Sequence, residues 1–198
     1  MLDIVIATRN LHKFRELKQL LNVPGIRWRS LREFPRAGKV RETGRTYAAN
    51  ARKKALAVAR ATGGLAVADD SGLEVDALRG APGVRSARFA GGHGGDQANN
   101  RKLLRLLGHR PMSQRRARYR CVLALARPGR VIRIVDGDWK GCIAFRPSGS
   151  QGFGYDPVFV VPRLGKTVGQ LPARVKQRWS HRAAASRKLR PVLRRLTK

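Results

Sequence analysis

The chain has 198 residues, and its 43 Lys and Arg stand against 12 Asp and Glu, a formal net charge of +31. Hydrophobic residues make up 42% and alternate with polar ones along the chain, which excludes a disordered basic tail and leaves enough for a real core. Two cysteines, Cys121 and Cys142, exclude a disulfide framework; with no His at metal spacing they read as small core residues of a reducing compartment.

No apolar run reaches the length of a membrane span. The opening MLDIVIATRN shows neither a basic leader nor a small-residue cleavage site, so a soluble, cytoplasmic protein with no membrane partner is expected. Positive charge is densest at 108–120 and at 174–198, where ten Lys or Arg occur without an acid. Charge spread this widely predicts non-specific nucleic-acid binding with strong salt dependence, and fixes no function.

In chain order, DIVIAT (3–8) reads as a buried strand. The helical period of Leu11, Phe14, Leu17, Leu20 and Leu21 follows, with Asn10 as N-cap and a stop at Asn22-Val-Pro-Gly25. A short strand is expected near 26–31, and an Ala-rich helix from Thr46 to a glycine pair. LAVADD (65–70) is a second buried strand running into an acidic loop, and QANNRKLLRLLG (97–108) a short helix. Residues 117–126 and 130–139 form a hairpin about RPG, GCIAF is a further short strand, and 146–159 is a Gly-rich loop. A closing helix from Ser180 is expected to bend or end near Pro191. This order predicts an α/β fold, a mixed central sheet with flanking helices, in a single domain over 1–198.

Three constellations carry chemistry. In ATRNLHK, Thr8, Asn10 and Lys13 stand where a strand hands over to a helix N-terminus, a ready anion site once a full charge is added, although an N-cap followed by a solvent-facing Lys is the commoner reading of such a stretch. In ADDSG, Asp69 and Asp70 sit at the end of a buried strand, one side chain to each face. One of them would hold hydrated Mg2+ or take a proton from water; a plain turn with Ser71-Gly72 is the alternative. Four of the 12 acids fall at Asp69, Asp70, Glu74 and Asp76, and such retention in an acid-poor chain favours function for the Asp pair. In GSQGFGYDP and SHR, the glycines allow close backbone approach, Phe153 or Tyr155 offers a ring, and His181 and Arg182 are donors for carbonyl or phosphate oxygens.

Taken together, ATRNLHK, ETGRTYAANARKKA, ADDSGLEVDALRGAPGVRSARFAG, GFGYDPVF and SHRAAA occur in an order and spacing by which the chain resembles the ITP/dITP/XTP pyrophosphatase (Ham1-like) family over residues 2–190. The resemblance implies Mg2+-dependent hydrolysis of deaminated purine nucleoside triphosphates (ITP, dITP, XTP) to monophosphate and pyrophosphate. It also implies two lobes around a nucleotide cleft and a homodimer. It assigns Thr8, Asn10 and Lys13 to the triphosphate and Asp70 to the general base, with Asp70, Glu42 and Asp69 near the metal. Ser71, Phe153, Gly154, Tyr155, Asp156 and Lys176 would line the nucleotide, and His181 and Arg182 would read the purine. The chain departs from the family pattern at Ala49, where the family carries a second acid beside Glu42's motif, and at Gln170 and Val175, which also replace acids. Glu74 and Asp76 are expected to serve local structure. The competing reading is a basic nucleic-acid-binding protein on the same fold with weakened catalysis, though no RRM-, KH- or helix-turn-helix-like signature supports it.

Overall fold

The protein is described here by a computed structural model covering residues 1–91 and 95–197; Lys198, the last cation of the basic stretch 174–198, lies outside them. Strand β1 (Leu2–Ile6) pairs in parallel with β2 (Ile26–Ser30) on one side and with β3 (Leu65–Val75) on the other. Helix α1 (Leu11–Leu20) joins β1 to β2, and α2 (Tyr47–Thr62) precedes β3. Then come α3 (Gly95–Leu107), β4 (Arg116–Arg127), β5 (Arg130–Ile143), β6 (Phe159–Val161), β7 (Lys166–Thr167), α4 (Ala173–Trp179) and α5 (His181–Arg195). The strands are hydrogen-bonded in the order β2-β1-β3-β4-β5-β6-β7, with β5/β6 and β6/β7 antiparallel. A mixed sheet of seven strands with flanking helices is the α/β architecture expected.

Local signals account for the helix ends. The Asn10 side chain accepts from the backbone N–H of His12 (2.9 Å) and Lys13 (3.1 Å), and Thr46 Oγ1 accepts from Ala49 N–H (3.1 Å), so each fills orphan donors of a first turn. Gly63 at φ 66° closes α2 in the left-handed conformation that a Cβ would disfavour.

Three expectations are corrected. β3 does not give way to a loop at the acids but continues to Val75, so Asp69 and Asp70 stand mid-strand, each held by side-chain partners on its own face. GCI belongs to β5, a single strand of 14 residues, because the ladder persists beyond Trp139. α5 does not end at Pro191 but runs on to Arg195; the proline is exposed, where the carbonyl it deprives can turn to water.

The chain divides into two compact units. One comprises 1–70, 121–137 and 182–198, the other 71–120 and 138–181. The first is cored by Ile4, Ile6, Leu17, Leu21, Val67, Leu123, Leu125, Leu189 and Leu193. The second packs Leu73, Val75, Leu103, Leu107, Trp139, Ile143, Val158 and Phe159. Glu74 accepts from Arg118 Nε at 2.7 Å, which gives that acid the structural duty expected of it.

Arg115 is the largest fully buried side chain of the second unit, and its partners are carbonyls rather than acids. Its guanidinium donates to Ile143 O (2.8 Å), Ala144 O (2.9 Å) and Gly108 O (3.0 Å), fastening the turn after α3 to the end of β5. Arg115→Met would keep the stem's packing and orphan those acceptors at about 1–3 kcal/mol each. A loss of at least about 3 kcal/mol in urea unfolding is expected, with Lys a partial rescue.

Candidate active site

Asp69 and Asp70 are neighbours on β3, so their side chains leave opposite faces and gather different partners. Asp69 has no exposed side-chain surface. Its Oδ2 meets Arg182 Nε at 3.0 Å and Lys13 Nζ at 3.3 Å, while Cys121 Sγ donates to Oδ1 at 3.4 Å. Burial by itself would push this carboxyl up; Lys13, Arg182 and Lys54 overcome that and hold it well below the usual carboxylate range. Arg182 also reaches Glu16 Oε2 at 3.2 Å, and though burial opposes its charge, Asp69 and Glu16 keep its pKa above the ordinary value.

Asp70 is set up differently. Lys54 Nζ donates to its Oδ1 at 2.9 Å and Asn50 Nδ2 to its Oδ2 at 3.2 Å. Burial pushes its pKa up, Lys54 pulls down, Glu42 and Asp69 push up again, and the balance is a carboxylate more basic than a free one. Lys54 also donates to Glu42 Oε1 (3.0 Å) and to the Asp69 carbonyl (2.6 Å). Burial disfavours its charge, but Asp70, Glu42 and Asp69 outweigh it and hold the ammonium protonated. Asn50 is wholly buried and ties down the irregular segment before α2 that carries Glu42: its Oδ1 accepts from Gly44 N–H at 2.8 Å. A Cβ on Gly44 would stand 2.6 Å from that oxygen, so any side chain there would have to displace Asn50.

The second unit holds a separate cluster around Asp156, which is 1% exposed. Its Oδ2 accepts from Lys176 Nζ (2.6 Å) and from Phe153 N–H (2.9 Å), and its Oδ1 from Tyr119 Oη (3.1 Å). Lys176 also lies 4.1 Å from the centre of the Phe153 ring, and Tyr119 stacks on His181 with centroids 4.7 Å apart. The loop around Gly152 and Gly154 closes on this carboxylate: Gly152 has φ 81°, and a Cβ there would be 2.0 Å from Asp156 Oδ2. Gly154 N–H donates to Asp96 at 2.6 Å and its carbonyl accepts from Asn100 at 3.1 Å.

Of the residues singled out in the sequence, Lys13, Asp69 and Arg182 come together in the first unit, as do Glu42 and Asp70. The side chain of Asp69 lies among Lys13, Arg182 and Cys121. Arg182, expected at the purine, is engaged by two carboxylates. Thr8 and Asn10 shape the start of α1, with Asn10 N–H donating to Thr8 Oγ1 at 3.2 Å. In the second unit Phe153, Asp156, Lys176 and His181 form the other cluster, Gly154 braces its loop, and Ser71 follows on β3. Tyr155, expected as a ring at the nucleotide, lies in the core with its hydroxyl on Ser86 O at 2.8 Å.

Lys54, Asn50, Tyr119 and Glu16 were not picked out from sequence. A signal existed for two of them: Asn50 and Lys54 are four apart, on the face of α2 that also buries Ala51, Ala55 and Val58.

An α/β fold presenting a buried, cation-braced pair of aspartates, one of them made basic, defines a hydrolase-like carboxylate site. The chain belongs to the Ham1 family, whose pattern it matches over residues 4–192. It is 50% identical over 195 residues to the dITP/XTP pyrophosphatase of Desulforamulus reducens, covering 98% of this chain and 97% of that one. It is 45% identical over 193 residues to the dITP/XTP pyrophosphatase of Bacillus subtilis, covering 98% of each. Among solved structures, a HAM1 protein from Coxiella burnetii superposes with a TM-score of 0.89 at 40% identity, covering 98% of both chains.

Asp69→Asn would strand Lys13 and Arg182 beside a neutral amide. A loss of about 3–5 kcal/mol at neutral pH is expected. Because the folded-state pKa lies below the unfolded one, the stabilisation is complete above the ordinary aspartate value, about 3.9, and is lost as pH falls through the folded value. Urea titrations at neutral pH and at about pH 3 should show the gap between wild type and variant narrowing on acidification.

Proposed function

We propose that this chain hydrolyses deaminated purine nucleoside triphosphates, ITP, dITP and XTP, to the monophosphate and pyrophosphate. The observation that carries the reading is Asp70: a buried carboxylate, raised in basicity and fixed from two sides by Lys54 and Asn50. A carboxylate held more basic than a free one is better suited to take a proton from water. Water would give its proton to Asp70 and form a bond to the α-phosphorus, while the bond from that phosphorus to the bridging oxygen breaks and pyrophosphate leaves. Lys13 and Lys54 supply positive charge beside the reacting groups, and Thr8 and Asn10 present the start of α1 to the phosphates. Phe153, Lys176 and His181 are the proposed base-recognition residues.

Glu42 and Asp70 share a single cation, the Lys54 ammonium, which shows that their oxygens converge on one point. Among the described residues no three Asp, Glu, His or Cys side chains cluster as a metal cage. Two carboxylates fit Mg2+, which is commonly held by one or two of them with substrate phosphates and water. Glu42 and Asp70 would therefore hold it, and when bound it would neutralise triphosphate charge. Ala49 takes no part in that pair. A homodimer, supported by the family resemblance, and a cytoplasmic location belong to the same proposal; no helix among the described residues is long and apolar enough to cross a membrane.

The test is pyrophosphate release from ITP, dITP, XTP, ATP and GTP with Mg2+. Release from the deaminated purines, reduced at least about 100-fold in Asp70→Asn with the fold intact, is the expected result. Release from none of them by folded wild type would overturn the reading. Glu42→Gln should raise the Mg2+ concentration needed for half-maximal rate, measured by metal titration.

A further inference from the structure

Helix α1 carries a second cationic face that the reaction does not use. With about 100° of rotation per residue, Arg15, Lys18 and Gln19 fall within roughly one quadrant or so of the helix, and Lys13 lies about 160° from Arg15. Lys13 reaches Asp69; Arg15 and Lys18 point into an open groove of about 710 Å3 that α1 forms with the edge strand β2. Gln19, Asn22, Arg27 and Trp28 also line it, and no acid among the described residues does. Arg27 is paired with Asp3 through Nε at 2.6 Å and a terminal nitrogen at 2.7 Å, which leaves Arg15 and Lys18, both exposed, as the uncommitted charges.

The end of α5 adds to the tract. A Cβ on Gly25, next to the groove residue Ile26, would meet Thr197 at 3.5 Å, so Thr197, two residues past the exposed Arg195, lies beside that end of the groove. Trp28 is only 8% exposed and offers no stacking platform, and the remaining polar groups are amides suited to phosphate and sugar oxygens. Cations along one open wall, continued past the groove, suit a chain of phosphates better than one enclosed phosphate group.

We propose that the α1–β2 groove is a docking site for the phosphodiester backbone of nucleic acid, indifferent to base sequence and separate from the catalytic carboxylates. It rests on the polyanion attraction of the net charge rather than on the pyrophosphatase reading. Hydrolysis assays on the same preparations report on the latter independently.

The test is fluorescence anisotropy of a labelled DNA of about 20 nucleotides, titrated with the full chain across a range of KCl concentrations. Arg15→Gln/Lys18→Gln is compared with Arg101→Gln/Arg105→Gln, which removes equal charge from exposed positions on α3. The groove variant should bind at least about fivefold more weakly near physiological salt and lose about 1.5 to 2 from its log–log salt slope, with the control within about twofold of wild type. Its thermal melt and ITP hydrolysis should match wild type. Equal losses in both variants would mean the charge acts diffusely and would overturn the proposal. So would absence of binding by wild type at physiological salt, or an Arg15- and Lys18-dependent affinity for ATP or inorganic phosphate as high as that for DNA.

Discussion

Two adjacent carboxylates inside a strand remain ionised only if cations are brought to both faces of that strand, and much of the first unit is arranged to do this. Stripping water from an ion costs several kcal/mol even after relaxation, so each carboxylate needs partners at hydrogen-bond distance. α1 delivers Lys13, α5 delivers Arg182 and α2 delivers Lys54, each from a helix packed in the same unit. The two sides are not balanced alike. Asp69 is held by Lys13 and Arg182 with Lys54 adding to them, and is pinned as an anion, whereas Asp70 is met by Lys54, shared with Glu42, and stays basic. The difference divides labour: Asp69 organises charge, and Asp70 keeps the capacity to accept a proton.

The Asp156 cluster solves the same problem by backbone shape. A single carboxylate takes a lysine, a tyrosine hydroxyl and a backbone N–H, and the peptide comes within reach only because Gly152 has no side chain to strike the carboxylate. The alternation of glycine with aromatic residues in GFGYDP is thus a packing requirement before it is a recognition motif. Phe153 keeps its ring against Lys176 while Tyr155 is absorbed into the core.

These arrangements differ in how far a sequence can show them. Periodicity and caps located α1, α2 and the hairpin strands, because Asn10, Thr46 and Gly63 act on their immediate neighbours. The continuation of β3 through ADDSG was not legible, since a run of Asp-Asp-Ser-Gly favours turns unless distant cations hold it extended. Those cations lie up to 113 residues away, as with Arg182 and Asp69, and no local pattern encodes such a pairing. The motif residues themselves were visible, yet their partners were not. Lys54 looked like one more lysine in a chain of 43 Lys and Arg, and only its position on the buried face of α2 sets it apart.

The scarcity of acids then has a structural reading. Among the described residues at least nine of the 12, from Asp3 to Asp156, stand in ion pairs, so in this chain an acid is kept mostly where a cation needs it. The converse is that most cations have no acid to meet; apart from those spent on carbonyls, as Arg115 is, they face water, where salt screens repulsion beyond about 8 Å. α1 shows both outcomes on one helix. Lys13 finds Asp69 in the interior, while Arg15 and Lys18, turned the other way, are left as surface charge along a groove. A helix that must supply one buried cation is constrained on that face alone. Its opposite face is free to gather charge without disturbing the carboxylates, which is how a chain this basic can hold a finely balanced acidic site.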